Sequence, residues 1–303
     1  MKKFSLLAVI IALTFLAFLI PRGEGEEGYV GQQTCIECHE ESYRTYQKNY
    51  HSTTGDLRTP AAKQGCESCH GPGAAHSEEQ DPEKILALGP KSTLSPDKKN
   101  AACLACHTKG KVALWNGSSH DGRGGSCSDC HSIHQGLPKP RSASDQIATC
   151  ARCHLNIRAD LTRQSHHPIR EGKIKCSDCH NPHGTVADRL VDAQDVNQKC
   201  FKCHADLRGP FLWDHPPVIE DCLSCHTPHG SPRSPLLKAK MPYLCQRCHS
   251  NVGHPGQLQA RNTVDAGQSV YRALNNRGFY RSCLNCHVSI HGSNHPSGKS
   301  LLR

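Results

Sequence analysis

Hydrophobic positions are unevenly spread along the 303 residues. One long apolar run occupies residues 4–20, and every later cluster is short and mixed with polar side chains. No stretch alternates apolar and polar residues as a half-buried strand does. Residues 36–50, 145–164, 194–207 and 264–274 read as short helices, closed by His-Pro and Pro-His-Gly steps. Residues 77–100, with Pro82, Pro90 and Pro96, read as an irregular insertion. The expected chain is mostly coil with short α-helices and almost no strand.

The leading run follows Lys2 and Lys3 and ends at Pro21, with Gly23-Glu24-Gly25 offering a small-x-small cleavage site. It is slightly long for a signal peptide and slightly short for a membrane span. Residues 1–25 are read as a signal peptide in preference to a retained anchor, leaving 26–303 as the mature chain. No cysteine precedes Cys35, which argues against a lipoprotein anchor. The protein is expected to be exported, and then soluble or held by a partner.

Composition changes the picture. Aromatic residues make up 5%, mean hydropathy is −0.59, and the chain holds 20 Cys and 22 His. So few large apolar side chains cannot fill two ordinary cores. Every cysteine belongs to a C-x-x-C-H motif. The pairs are Cys35/Cys38, Cys66/Cys69, Cys103/Cys106, Cys127/Cys130, Cys150/Cys153, Cys176/Cys179, Cys200/Cys203, Cys222/Cys225, Cys245/Cys248 and Cys283/Cys286. Zinc ribbons do not place a His directly after the second Cys each time, and disulfide frameworks rarely repeat one spacing so strictly. Ten such motifs behind an export signal indicate ten covalently attached c-type haems. Two thiols meet the two vinyl groups of one porphyrin, and the next His ligates its iron. The porphyrin then takes the place of a core, and the apo-chain is expected to be unfolded.

The motif histidines, His39, His70, His107, His131, His154, His180, His204, His226, His249 and His287, are the proximal ligands. Twelve histidines remain. Met1 lies in the signal and Met241 stands alone, so methionine cannot supply ten sixth ligands. Ten bis-His haems with two spare histidines is the simplest assignment. The distal set is His51, His76, His120, His134, His167, His183, His215, His229, His254 and His291.

These histidines mark five two-haem repeats, about 35–76, 103–134, 150–183, 200–229 and 245–291. Each reads motif, lone His, motif, further His. His167-Pro168 aligns with His215-Pro216 and His254-Pro255, which favours His167 over His166. His295 is the other spare, or an alternative to His291. Two Cα atoms across a bis-His iron are roughly 13 Å apart, whereas three extended residues reach about 10–11 Å. His134, His183 and His229, each three residues after a proximal His, must therefore serve a neighbouring haem. His291, four residues on, is marginal, and His76 is not excluded from its own haem.

The formal charge is +9, of which Lys2, Lys3, Arg22 and Glu24 belong to the signal region. Ten haems bring two propionates each, more than offsetting the remainder. The basic side chains are read as propionate partners, and nucleic-acid binding is disfavoured.

Tyr29-Val30-Gly31 before Cys35, the repeated C-x-x-C-H-x-Pro-His-Gly, and the terminal 283–298 stretch resemble the DmsE/MtrA family of periplasmic decahaem cytochromes. The resemblance spans the mature chain. It implies an elongated haem-stacked wire of the multihaem cytochrome c class, periplasmic and associated with the outer membrane. Its implied partners are an outer-membrane β-barrel porin-like protein and an inner-membrane quinol dehydrogenase or periplasmic electron carrier. An outer-surface multihaem cytochrome or reductase is a further one. A multihaem enzyme, such as a nitrite reductase or hydroxylamine oxidoreductase, would need an open iron, which the histidine surplus argues against. A subunit of an extracellular haem polymer is the remaining alternative, and the short tails offer it little.

Overall fold

The computed structural model describes residues 28–89, 91–134, 142–250, 263–265, 268–270 and 282–302. The signal region and His254 lie outside these.

Helices are short because the motifs interrupt them. The first motif of each repeat sits in or just past a helix: Gln32–Tyr46, Pro96–Leu104, Ala143–Cys150, Val196–Phe201 and Tyr243–Gln246. Ser95, Ser142 and Asp195 cap three of these by accepting a backbone N–H, and Pro96 fills a first-turn place where its missing donor costs nothing. Pro96 thus opens a helix inside the segment read as irregular, where residues Ala74–Glu79 are helical as well. Second motifs form single turns, Glu67–His70, Cys127–Cys130 and Cys176–Cys179, with 3₁₀ turns at Cys222–Ser224 and Cys283–Asn285.

One helical turn is what the attachment chemistry needs. Residues i and i+3 share a face, so both thiols of a motif point the same way. The motif histidine closes the turn. In nine motifs its N–H donates to the carbonyl of the first cysteine at 2.9–3.1 Å. The backbone then leaves the helical region: His154 and His204 have ψ of 63° and 55°, and His131 and His180 are extended. The expected helices at 145–164 and 194–207 are each split there, into Ala143–Cys150 with Leu155–Asp160, and Val196–Phe201 with a turn at Ala205–Leu207. The helix expected at 264–274 is not formed in the described part. Thr263–Asp265 and Gln268–Val270 pair antiparallel instead, Thr263 opposite Val270. A β-branched Thr-Val and Ser-Val on either side of Ala266-Gly267 favour a hairpin over a helix.

Few apolar side chains are withdrawn from solvent among the described residues. Tyr46, Trp115, Leu161, Val191, Leu237 and Leu244 are buried, together with Ala143 and Ala151. Glu67, Asn100, Gln146, Asn181, Asn197, Ser231 and Ser293 are equally buried. Polar side chains satisfied by hydrogen bonds, and not an oily core, hold the loops together.

The chain divides into two compact sets of residues. One runs to Thr108 and resumes at Gly124, taking in the Cys127 motif. The other holds Lys109–Arg123 and the chain from Ser142 on. The middle segment belongs with the later set because it carries His120, whose ring faces His154. Among the described residues no helix is long and apolar enough to cross a membrane.

Candidate haem-ligating histidine pairs

Histidine rings meet in pairs. His39 faces His76 at 6.1 Å between ring centroids, His51 faces His107 at 5.9 Å, and His70 faces His134 at 6.1 Å. In the later set, His120 faces His154 at 6.1 Å, His167 faces His204 at 6.4 Å, and His180 faces His229 at 6.0 Å. His215 faces His249 at 6.0 Å, and His226 faces His291 at 6.2 Å. Every pair joins one motif histidine to one non-motif histidine. A metal–imidazole bond near 2 Å on each side puts two ring centroids roughly 6.3 Å apart. The spacing therefore fits one iron between each pair of rings, and the flanking cysteines fit a macrocycle around it.

The pairing follows a rule along the chain. The lone histidine of each repeat reaches forward to the first motif of the next: His51 to His107, His120 to His154, His167 to His204, His215 to His249. The histidine after the second motif reaches back to the second motif of the previous repeat: His134 to His70, His229 to His180, His291 to His226. Only His76 stays within its own repeat, against the first motif's His39.

Ring orientation is fixed from behind. A carbonyl oxygen can only accept, so an Nδ1 beside one must carry the proton and leave Nε2 as a lone pair. His120 Nδ1 donates to Pro182 O at 2.7 Å, His167 to Pro228 O at 2.7 Å, and His215 to Ile290 O at 2.9 Å. Each of those carbonyls immediately precedes a backward-reaching histidine. In the first repeat Asn49 relays the same contact. Its Nδ2 donates to Ile133 O, and its Oδ1 accepts from His51 Nδ1. Asn181 does likewise for His183 Nδ1 at 3.2 Å, and His183 packs beside Trp115.

Proximal histidines of the second motifs are held by a returning loop. His70 Nδ1 donates to Leu86 O, His180 to Arg189 O, His226 to Pro235 O, and His287 to Ser300 O, all at 2.7–3.0 Å. Three of these carbonyls are followed by a leucine at φ 56°: Leu190, Leu236 and Leu301. Left-handed leucine is uncommon, and it recurs here because the turn must aim a carbonyl at the ring. Sequence reasoning missed this loop. The apolar pairs Leu190-Val191, Leu236-Leu237 and Leu301-Leu302 after a motif were its available signal.

Burial keeps several of these rings neutral. It pushes the imidazoles of His70, His226, His229 and His291 below the ordinary histidine range. A neutral ring is the form that binds a metal. His166 is different. It is exposed, donates through Nδ1 to Arg163 O, and meets Glu171 Oε1 through Nε2 at 3.1 Å. That carboxylate raises it. His295 is exposed too, and its Nδ1 accepts from the Ser297 N–H at 3.2 Å, which puts its proton on Nε2. Neither ring faces a motif histidine among the ring contacts of the described residues.

Cysteines line up between the rings. The first thiols of the two motifs in a repeat meet: Cys35 with Cys66, Cys103 with Cys127, Cys150 with Cys176, Cys200 with Cys222, Cys245 with Cys283. From one repeat to the next, Cys69 lies within electrostatic reach of Cys106, Cys179 of Cys200 and Cys203, and Cys225 of Cys248.

Three second cysteines depart from the expectation that attachment thiols sit in a local core. Cys38, Cys153 and Cys286 are exposed, although the first cysteines of two of their motifs, Cys35 and Cys283, are half-buried. Position explains the difference. Cys38 belongs to the first motif of the earlier set of residues, Cys153 to the first motif of the later set, and Cys286 to its last. At the end of a stack a second thiol has its own motif on one side and solvent on the other. The chain brings the motif spacing to these three, but the packing that covers Cys69 and Cys225 does not extend to them.

Gly184, Gly230 and Gly292, each after a backward-reaching histidine or His183, let two segments touch. A Cβ on Gly184 would sit 2.0 Å from Leu114 O, and one on Gly230 would sit 1.9 Å from Asp160 O. Beside Gly230, Ser165 and Ser231 exchange backbone hydrogen bonds of 3.0 and 2.8 Å. This contact ties the loop carrying His167 to the loop carrying His229.

Known proteins share the pattern. A family described as Doubled CXXCH motif matches residues 120–159, 166–209 and 215–254, and a family described as Cytochrome c-type protein NrfB-like matches 66–139. The chain is 40% identical over 282 residues to "Multiheme cytochrome MtrA" of Shewanella baltica, covering 92% of this chain and 84% of that one. It is 25% identical over 224 residues to "C-type polyheme cytochrome OmcB" of Geobacter sulfurreducens, covering 60% of this chain and 26% of OmcB.

Proposed function

The chain belongs to the MtrA family of multihaem cytochromes, and from that premise we propose that it conducts electrons between the periplasm and the outer surface of the cell through ten bis-His haems. It is an electron-transfer cytochrome, and haem c is its covalently bound cofactor. Haem c supplies an iron that gains or loses one electron.

The protein's part is positional. The twenty motif cysteines anchor the macrocycles, and each motif histidine supplies one axial nitrogen. His51, His76, His120, His134, His167, His183, His215, His229, His254 and His291 supply the other. The eight ring pairs at 5.9–6.4 Å carry this reading. Nδ1–H donation to carbonyls and side-chain amides holds Nε2 toward each gap, so neither ligand has to reorganise when charge changes. With imidazole on both sides and no methionine ligand, the potentials stay on the low side. Forward and backward ligation stitch successive repeats, so each haem joined in this way is held by two of them.

With both axial places taken on each iron, no substrate has a site, and the protein is not an enzyme. The signal at 1–25 exports it to the periplasm, where it associates with the outer membrane. Its partners are a porin-like β-barrel, an inner-membrane quinol dehydrogenase or periplasmic carrier on one side, and a surface multihaem cytochrome or reductase on the other. The test is a vesicle carrying the holoprotein within its barrel partner, with a reduced dye inside and a ferric chelate outside. Oxidation of the internal dye should require both proteins. Equal oxidation with the barrel alone contradicts the proposal.

A further inference from the structure

Each repeat must hold its second motif against its first, and one side chain recurs at that junction. The position three or four residues before the first cysteine is Gln32, Asn100, Gln146 or Asn197 in the first four repeats. Asn100, Gln146 and Asn197 are 3%, 8% and 6% exposed. Asn100 Oδ1 accepts from the Cys127 N–H at 2.8 Å, and its Nδ2 donates to Gly125 O at 3.1 Å. Asn197 Oδ1 accepts from the Cys222 N–H at 2.8 Å, and its Nδ2 donates to the carbonyls of Val218 and Ile219 at 3.0 and 2.8 Å. Gln146 stands one residue further back and is one methylene longer. It accepts from the Ser177 N–H at 2.9 Å and donates to Ser177 Oγ at 2.8 Å.

The first N–H groups of a helical turn have no acceptor within it. An ordinary cap would come from the residue just ahead. Here the acceptor comes from the helix of the other motif, so satisfying the donor also joins the two motifs. The first repeat reverses the direction. Glu67, inside the second motif and 3% exposed, accepts from the N–H groups of Val30, Gly31 and Gly73 at 2.8–3.0 Å. The fifth repeat has Met241 and Pro242 at the carboxamide position, and Met241 Sδ lies 3.4 Å from Cys245 Sγ.

We propose that Asn100, Gln146 and Asn197 are positioning residues for electron transfer, each fixing the spacing of the two haems in its repeat. The inference rests on reading every C-x-x-C-H as a haem attachment. The carboxamide acts through the peptide of the second motif, whose entry cysteine carries the haem.

The test uses the mature holoprotein with Asn197→Leu, which keeps volume and loses both hydrogen-bonding ends, beside unsubstituted protein. Haem load is counted by intact mass. Exchange at the peptide holding Cys222 is followed by mass spectrometry, and magnetic coupling between ferric irons by electron paramagnetic resonance. Leaving the Cys222 donor unpaired should speed its exchange by about 10- to 100-fold. The coupling and potentials of the fourth repeat's haem pair should shift, while all ten haems remain attached and low-spin. Asn197→Asp keeps the acceptor and loses the donors, and it carries the same test if the leucine variant does not accumulate. Faster exchange with coupling and potentials unchanged would reduce the residue to a structural role and overturn the proposal. Unsubstituted protein carrying fewer than ten haems would instead sink the attachment reading, and this proposal with it.

Discussion

Replacing Gly230 with alanine tests whether the contact between repeats places the ligands. A Cβ there would lie 1.9 Å from Asp160 O and 2.7 Å from its carbonyl carbon. Real Cβ atoms do not approach closer than 3.0 Å, so the two backbones must part by about 1.1 Å or more. Neither partner is a side-chain tip that can swing aside. The separation pulls on the Ser165–Ser231 exchange and on the His167 Nδ1 bond to Pro228 O. Overpacking costs roughly 1–3 kcal/mol and each weakened hydrogen bond about 1 kcal/mol, so a loss of roughly 2–4 kcal/mol is expected. The same displacement draws His167 away from His204 and His229 away from His180. Denaturant unfolding of the holoprotein reads the first effect, and a high-spin ferric signal from two irons in ten reads the second. Gly122→Ala is the control, because nothing stands within 4 Å of its Cβ. Native stability and a wholly low-spin spectrum for Gly230→Ala would refute the reasoning.

Two further substitutions separate ligands from neighbours. His167→Ala should leave one iron in ten five-coordinate, seen as a high-spin fraction of that size and a raised potential for that haem. His166→Ala, which removes only exposed contacts to Arg163 and Glu171, should leave the visible spectrum unchanged. Glu67→Ala strips an acceptor from three backbone donors and should cost about 2–4 kcal/mol. Limited proteolysis should then cut near residues 28–31, while Glu41→Ala, an exposed partner of Arg44, gives no new cut.

The chemistry of the chain was more legible than its backbone. A spacing repeated ten times announces itself, because thioether attachment leaves the motif no freedom. The His-Pro register singled out His167, and its ring stands opposite His204 while His166 turns to Glu171. Reach alone separated His134 and His229 from their own motifs, and their rings face His70 and His180. Which neighbour each one meets was not readable, since that depends on how loops from different repeats cross at Gly184 and Gly230. Nor was the uneven burial of the thiols, since one spacing gives half-buried Cys69 and exposed Cys38, Cys153 and Cys286 according to place in the stack. Helix lengths were overestimated at 145–164 and 194–207, where the motif histidine must leave the helix to face an iron. The 264–274 segment was misread because amphipathic spacing over so few residues does not outweigh β-branched pairs around Ala266-Gly267. The carbonyls that lock the rings belong to the backbone, which has no letter in the sequence. Only the leucines that tolerate the turn leave a trace.

The central claim is that histidine pairs fill both axial places of every iron. Electron paramagnetic resonance of the fully ferric holoprotein addresses it directly, because low-spin signals depend on the angle between the two imidazole planes. Rings are within 15–26° of parallel at His39–His76, His180–His229, His215–His249 and His226–His291, and 71–75° apart at His51–His107 and His120–His154. The account predicts only low-spin irons, with rhombic signals from the near-parallel pairs and a smaller, highly anisotropic signal from the near-perpendicular ones. A high-spin component in the unsubstituted protein at neutral pH, or one that converts on adding cyanide, would contradict it.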